Sequence, residues 1–199
     1  MSILSDSSNL LPFDGTAYLV PDAFPPEESN EYFAALQYDI AWKQESIKIF
    51  GKEVLQPRLT AWYGDEDKMY AYSGVTMKPL PWINTLLRIK ERVEHITSHK
   101  FNSVLLNFYR NGQDSMGWHR DNEKELGTDP VIASISFGAT RKFQFRHYKD
   151  HKRVISLELG SGSLLLMSGS TQNHWQHGLP KSSMVQEARI NLTFRNIIR

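Results

Sequence analysis

The chain contains no cysteine. That absence excludes disulfides, thiolate nucleophiles, iron–sulfur clusters and every Cys-ligated zinc site. Any metal must be held by His, Asp or Glu. Long apolar runs are also missing. The longest is Leu164-Leu165-Leu166-Met167, against the roughly 20 residues of a membrane helix, so no membrane partner is expected. The opening MSILSDSSNLLPF has no positive n-region and no long apolar stretch, so a secreted product is not expected. The expected place is the cytoplasm if the source is bacterial and the nucleus if it is eukaryotic. Neither sign of charge dominates: 23 Lys and Arg face 22 Asp and Glu, for a net charge of +1. Attraction to a polyanion would have to come from local patches.

What is present suits one folded domain. The 199 residues are 40% hydrophobic and 12% aromatic, enough to build a core. Residues 1–16 are rich in Ser, Asn and Asp and read as a flexible arm. Residues 17–199 read as a single domain. Pro25-Pro26 followed by EESNEYFAALQ predicts a helix, with proline and acidic residues in its first turn. Residues 82–98 predict a second, through Ile83, Leu86, Leu87, Ile89, Val93 and Ile96. Between them SIKIFGKEVLQPR predicts a β-hairpin turning at Phe50-Gly51-Lys52. From residue 101 short strand-like runs follow one another: FNSVLLNFY, PVIASISF, RKFQFRH, RVISLEL, GSLLLMS and ARINLTFR. The pattern predicts an α+β, mainly β fold. A sandwich, a jelly roll and a barrel all remain open at this point.

His119-Arg120-Asp121 could present an imidazole and a carboxylate to one point, since residues i and i+2 of a strand share a face. Two His and one carboxylate with open positions form the facial triad of non-haem Fe(II) sites. Spacing alone leaves His174 and His177 as competing third ligands. In RINLTFR the apolar Ile190, Leu192 and Phe194 alternate with Arg189, Asn191, Thr193 and Arg195. The polar face meets either solvent or a cavity. The two arginines, about 20 Å apart at ~3.3 Å per residue, could grip opposite ends of a small dicarboxylate. Asn107 and Tyr109 repeat the i, i+2 geometry. Residues 141–153 hold six Lys or Arg and one Asp, and read as a basic hairpin suited to phosphate. His147 and His151 in it are expected to face solvent. His95 and His99 mimic a metal pair, but a His near a helix C-terminus has a dipole explanation.

Taken in order, Asn107-Phe108-Tyr109, Gly112, Asp114, His119-Arg120-Asp121, SISFGATRKFQFRH, HWQHGLP and RINLTFR resemble the AlkB family of Fe(II)/2-oxoglutarate-dependent dioxygenases, over roughly residues 45–199. SIKIFGKEV and MYAYSG are similar to the branch that repairs alkylated bases in duplex DNA. The resemblance implies a double-stranded β-helix, or jelly roll, in residues 101–199, with helices and substrate-recognition hairpins, one of them a lid, in 17–100. It implies His119, Asp121 and His177 as iron ligands. Asn107, Tyr109, Arg189, Thr193 and Arg195 would bind 2-oxoglutarate, with Asn191 beside them. O2 would be the oxidant and ascorbate an accessory reductant. The implied reaction is oxidative dealkylation of N1-methyladenine and N3-methylcytosine, releasing formaldehyde and succinate. Alkylated DNA, duplex or single-stranded, would be the partner, and a monomer suffices. Phe50, Gly51 and Lys52 would enter the duplex. Tyr70, Ala71, Tyr72, Asn122 and Glu123 would meet the flipped base. Asn122 departs from that branch, which usually carries an acid there. The same chemistry on RNA or single strands, and a nucleic-acid-binding module without turnover, are the competing readings.

Overall fold

The computed structural model describes residues 8–49, 52–66, 70–72 and 75–198. Two antiparallel sheets carry the chain. The larger has six strands: β1 (Thr16–Val20), β4 (Leu59–Gly64), β7 (Ser103–Tyr109), β9 (Ile132–Gly138), β12 (Leu164–Ser168) and β14 (Arg189–Arg195). Their spatial order is β1-β12-β9-β14-β7-β4. The smaller has four: β8 (Met116–His119), β10 (Arg141–His147), β11 (Val154–Leu159) and β13 (Trp175–Leu179), in the order β11-β10-β13-β8. This is the jelly-roll core. Two hairpins stand outside both sheets: β2 (Ser46–Ile49) with β3 (Lys52–Leu55), and β5 (Tyr70–Tyr72) with β6 (Val75–Met77). The hairpin expected at SIKIFGKEV is present. Its tip, Phe50-Gly51, lies outside the described residues.

Both expected helices form. α1 (Pro26–Asp39) has proline at its start and Glu27 and Glu28 in its first turn, where the helix dipole favours them. α2 (Asn84–Thr97) ends at Ser98, which turns into the left-handed region with φ 58°. Glu94 locks that end. Its carboxylate accepts the Phe101 N–H at 2.9 Å and pairs with Lys90 at 2.9 Å and Lys100 at 2.7 Å.

Two apolar clusters place the site. In the first, Leu36, Leu86, Ile89 and Val93 of the helices meet Leu106, Ile135, Ile190, Leu192 and Phe194 on one face of the large sheet. In the second, Ile132, Leu165 and Met167 on the other face meet Phe143, Phe145, Trp175 and Leu179 of the small sheet. Strand alternation therefore sends Arg189, Asn191, Thr193 and Arg195 into the space between the sheets, and all four are buried.

Two expectations need correction. Residues 9–15 of the arm are tied down. The Asn9 side chain accepts the Leu11 and Ala17 N–H groups, and Leu11 is buried. His147, expected in solvent, is also buried, because β10 alternation turns it to the inner face beside Phe13 and Trp175. A short helix, α3 (Thr171–His174), precedes β13.

Candidate metal and 2-oxoglutarate site

β8 and β13 pair so that His119 lies opposite His177. Asp121 follows just past the end of β8, and its carboxylate turns back between the two rings. His119 Nε2 is 3.9 Å from Asp121 Oδ1, and His177 Nε2 is 3.9 Å from Asp121 Oδ2. The imidazoles meet edge to face at 4.2 Å. Ligand atoms of all three lie within 4.8 Å of one another. The sheet register therefore selects His177 over His174 as third member.

Protonation suits a cation. His119 Nδ1 lies 2.9 Å from the Gly117 carbonyl, so the neutral ring donates there and leaves Nε2 with its lone pair. Burial pushes the His177 imidazole down to about 3, with His119 adding to the effect, so the ring is neutral at physiological pH. Burial opposes ionisation of Asp121. Arg195 at 3.0 Å, with His177 and His119, outweighs it and holds the carboxyl well below the usual range. Asp121 Oδ2 is buried with no hydrogen-bond partner among the described residues. A buried carboxylate oxygen in that state invites a metal.

The neighbouring cavity is lined by Asn107, Tyr109, Arg189, Asn191, Thr193 and Arg195, together with Ser134, Phe143 and the three metal-site residues. Every expected co-substrate residue is thus brought to one space. The strand register explains it: Arg189 lies opposite Tyr109 and Asn191 opposite Asn107. The Arg189 guanidinium sits 5.4 Å from the Tyr109 ring and donates to Ser136 Oγ at 2.9 Å. Burial lowers it to about 10, which still leaves it charged. Its Nε has no hydrogen-bond partner, and no carboxylate pairs with it among the described residues. A buried cation of this kind calls for an anion.

Several supports are brought in by the fold, some of them from motif residues such as Gly112, Asp114 and Arg141. Arg58 is buried and donates to Asn107 Oδ1 at 2.8 Å, so the Asn107 NH2 is what that residue offers the cavity. Gln172 accepts the Asp121 N–H at 3.0 Å. Arg141 is buried and donates to the carbonyls of Asn111, Asp114 and Pro180 at 3.1, 3.0 and 2.8 Å. Gly112 lets this loop approach the 182–185 segment, since a Cβ there would collide with the Ser182 carbonyl. Asp114 holds Arg110 by two side-chain bonds of 2.8 and 2.9 Å. Pairwise proximity of this kind leaves no local pattern in sequence.

Other expected contacts are less gathered. Asn122 is exposed, and Glu123 is half-buried with Oε2 unpartnered among the described residues. Tyr70, Ala71 and Tyr72 form β5. His174 does not line the cavity; it stacks on His147 at 6.3 Å. Asp14, His147 and His174 make a second cluster within 4.8 Å. There the Asp150 N–H donates to His147 Nδ1 at 3.2 Å. His147 Nε2 lies 3.4 Å from Asp14 Oδ2 and is buried with no hydrogen-bond partner among the described residues.

Comparison with known proteins agrees with this geometry. Residues 16–195 match the model of the 2OG-Fe(II) oxygenase superfamily. The bovine alpha-ketoglutarate-dependent dioxygenase alkB homolog 3 is 44% identical over 188 residues, covering 90% of this chain and 65% of that protein. The human DNA oxidative demethylase ALKBH2 is 42% identical over 186 residues, covering 88% of this chain and 71% of that one.

The chain belongs to the AlkB family of 2OG-Fe(II) oxygenases.

The solved structure of OsALKBH1 shares the fold, with a TM-score of 0.66 at 16% identity over 94% of this chain and 99% of that one. This chain spans just under two thirds, 65%, of the bovine alkB homolog 3. AlkB membership implies Fe(II) and 2-oxoglutarate, and the orphaned Asp121 Oδ2 and the Arg189 guanidinium, with no carboxylate partner among the described residues, fit both. Among the described residues no helix is long and apolar enough to cross a membrane.

Proposed function

We propose that this AlkB-family protein is an oxidative demethylase of N-alkylated bases in DNA, acting on N1-methyladenine and N3-methylcytosine. One observation carries the reading: a His–Asp–His cluster, with Asp121 and His177 buried and His119 half-buried, opens onto the cationic face of β14 within a single cavity. His119, Asp121 and His177 would hold the iron. Arg189 and Tyr109 would take one carboxylate of 2-oxoglutarate, and Arg195 the other. Asn107, Asn191 and Thr193 would fix the remaining polar edge. When bound, iron would activate O2, the oxidant, with 2-oxoglutarate supplying two electrons as it becomes succinate and CO2. The chain's own work is positioning: Gln172 orients Asp121, Arg58 orients Asn107, and Phe143, stacked on His177 at 5.6 Å, keeps water from one side of the cluster.

A base in duplex must leave its stack to reach this cavity. Tyr70, Ala71 and Tyr72 would flank it. Glu123, whose Oε2 has no hydrogen-bond partner among the described residues, would face the positive charge of a methylated base, with Asn122 at the base edge. Phe50 would fill the vacated stack, with Gly51 permitting the turn and Lys52 on phosphate. Similarity to ALKBH2, a DNA oxidative demethylase, supports demethylation of DNA. Identity to alkB homolog 3, whose name specifies no substrate, is near-equal at 44% against 42%, so the same chemistry on single strands or RNA stays the second reading.

The test is mass spectrometry of a duplex oligonucleotide bearing one N1-methyladenine, incubated with protein, Fe(II), ascorbate and O2. Loss of one methylene mass, dependent on 2-oxoglutarate and abolished by His119→Ala, is the expected result. Succinate without dealkylation would overturn the substrate and keep the oxygenase. Phe50→Ala should damage duplex activity selectively; equal loss on a single strand would remove the stacking role.

A further inference from the structure

Outside the cavity, two guanidinium–aromatic stacks cross the small sheet side by side. In the first, Arg146 of β10 lies 4.4 Å over the ring of Trp118 of β8. In the second, Arg120, just past β8, lies 4.1 Å over the ring of Tyr148, just past β10. Both bridge the strand between them. Arg146 donates to Gln176 Oε1 at 3.2 and 2.7 Å. Arg120 donates to the Asn173 carbonyl at 3.0 Å. Successive rungs are two residues apart on each side, about 7 Å at ~3.3 Å per residue.

Three features set this ladder apart from other exposed polar contacts. Both aromatic rings stay open, Trp118 at 36% and Tyr148 at 46%. Neither guanidinium has a carboxylate partner among the described residues, although Arg92, Arg110, Arg153 and Arg195 all do. Every partner that fixes them is neutral, so each keeps its full charge while its side chain is held in place. Asp129, the nearby acid, accepts from the Asn173 side chain instead. The ladder also lies at the end of the sheet where Asp121 leaves β8, on the outer face behind His119 and His177.

We propose that this ladder grips the phosphodiester backbone of the nucleic-acid strand that carries the target base. The inference rests on the proposed nucleic-acid substrate. Charge complementarity names the occupant: two preordered cations a fixed distance apart, each beside an exposed ring able to stack on a base. Arg58 and Arg110 are not equivalent, because Asn107 and Asp114 engage them.

The experiment is fluorescence anisotropy of a labelled oligodeoxynucleotide, single-stranded and duplex, titrated with full-length protein over a range of NaCl. For Arg120→Gln/Arg146→Gln the salt dependence, d log K/d log[NaCl], should shrink by about 1.4 on a single strand or 1.8 on duplex, two phosphate contacts' worth. Trp118→Ala should weaken binding without that change of slope. Thermal midpoints and the visible band of the Fe(II)–2-oxoglutarate protein should match wild type. A double variant with unchanged slope, or one that loses only thermal stability, overturns the ladder while leaving the demethylase reading intact. Wild-type protein that binds neither oligonucleotide overturns that reading and the ladder with it.

Discussion

The two faces of β14 make a controlled comparison. They share one backbone and one pair of flanking strands, β9 and β7, and both are buried. Ile190, Leu192 and Phe194 meet the helix-side core. Arg189, Asn191, Thr193 and Arg195 meet the metal-site residues across the cavity. The first face is stabilising, because apolar area leaves water. The second is costly, because charges and amides are held where water is scarce. Its residues find partial partners: Asn191 donates to Ser134 at 2.8 Å, and Thr193 to Asn191 at 3.1 Å. Arg189 stays incompletely satisfied. One strand thus separates folding from binding at single-residue spacing.

Breaking the binding side at the metal cluster should have the largest effect. Asp121→Ala removes a candidate ligand and the carboxylate that Arg195 contacts at 3.0 Å, so dealkylation in the oligonucleotide assay should fall by more than about 100-fold, beyond the loss usual for a residue one step removed from the metal. The folding side is next. Leu192→Ala should cost about 2–5 kcal/mol in urea unfolding, while the folded protein keeps its affinity for 2-oxoglutarate. Arg189→Met sharpens the contrast, since it removes a buried charge. Stability without ligand should hold or rise, yet the thermal shift produced by 2-oxoglutarate should vanish. An unchanged shift would remove Arg189 from the site. Gln172→Ala acts one step out. Metal affinity, read by competition with a chelator, should drop roughly 10- to 100-fold through loss of the Asp121 N–H acceptor.

The smallest effect lies away from both faces, at the end of α2. Burial alone would raise the Glu94 pKa, but Lys100, the Phe101 N–H and Lys90 overcome it and lower the value in the folded protein. A depressed carboxyl pKa contributes stability that is complete above the unfolded value near 4.5 and disappears as pH falls through the folded value. The stability gap between wild type and Glu94→Gln should therefore be full at pH 7 and close steadily below about pH 4.5. Dealkylation measured at pH 7 should be nearly unaffected.

Sequence reading reached much of this architecture. Both helices, the first hairpin and six strands of the jelly roll announced themselves by periodicity. The i, i+2 pairs of β7, β14 and the His119–Asp121 motif did the same. β1, β4, β8 and β13 escaped it; β8 and β13 are short, and they carry His119 and His177 in place of an apolar repeat. His147 was misplaced because a basic neighbourhood outweighed its alternation with Arg146 and Tyr148.

Local pattern determined which residues share a strand face, where the helices begin, and that any metal rests on His and carboxylate. It could do so because backbone geometry repeats every two or 3.6 residues whatever the partner. Tertiary structure decided which face is wet, that His177 and not His174 faces His119, and that Arg58 and Gln172 stand behind Asn107 and Asp121. Those outcomes depend on register between strands tens of residues apart, and a contact across that distance leaves no period in the chain.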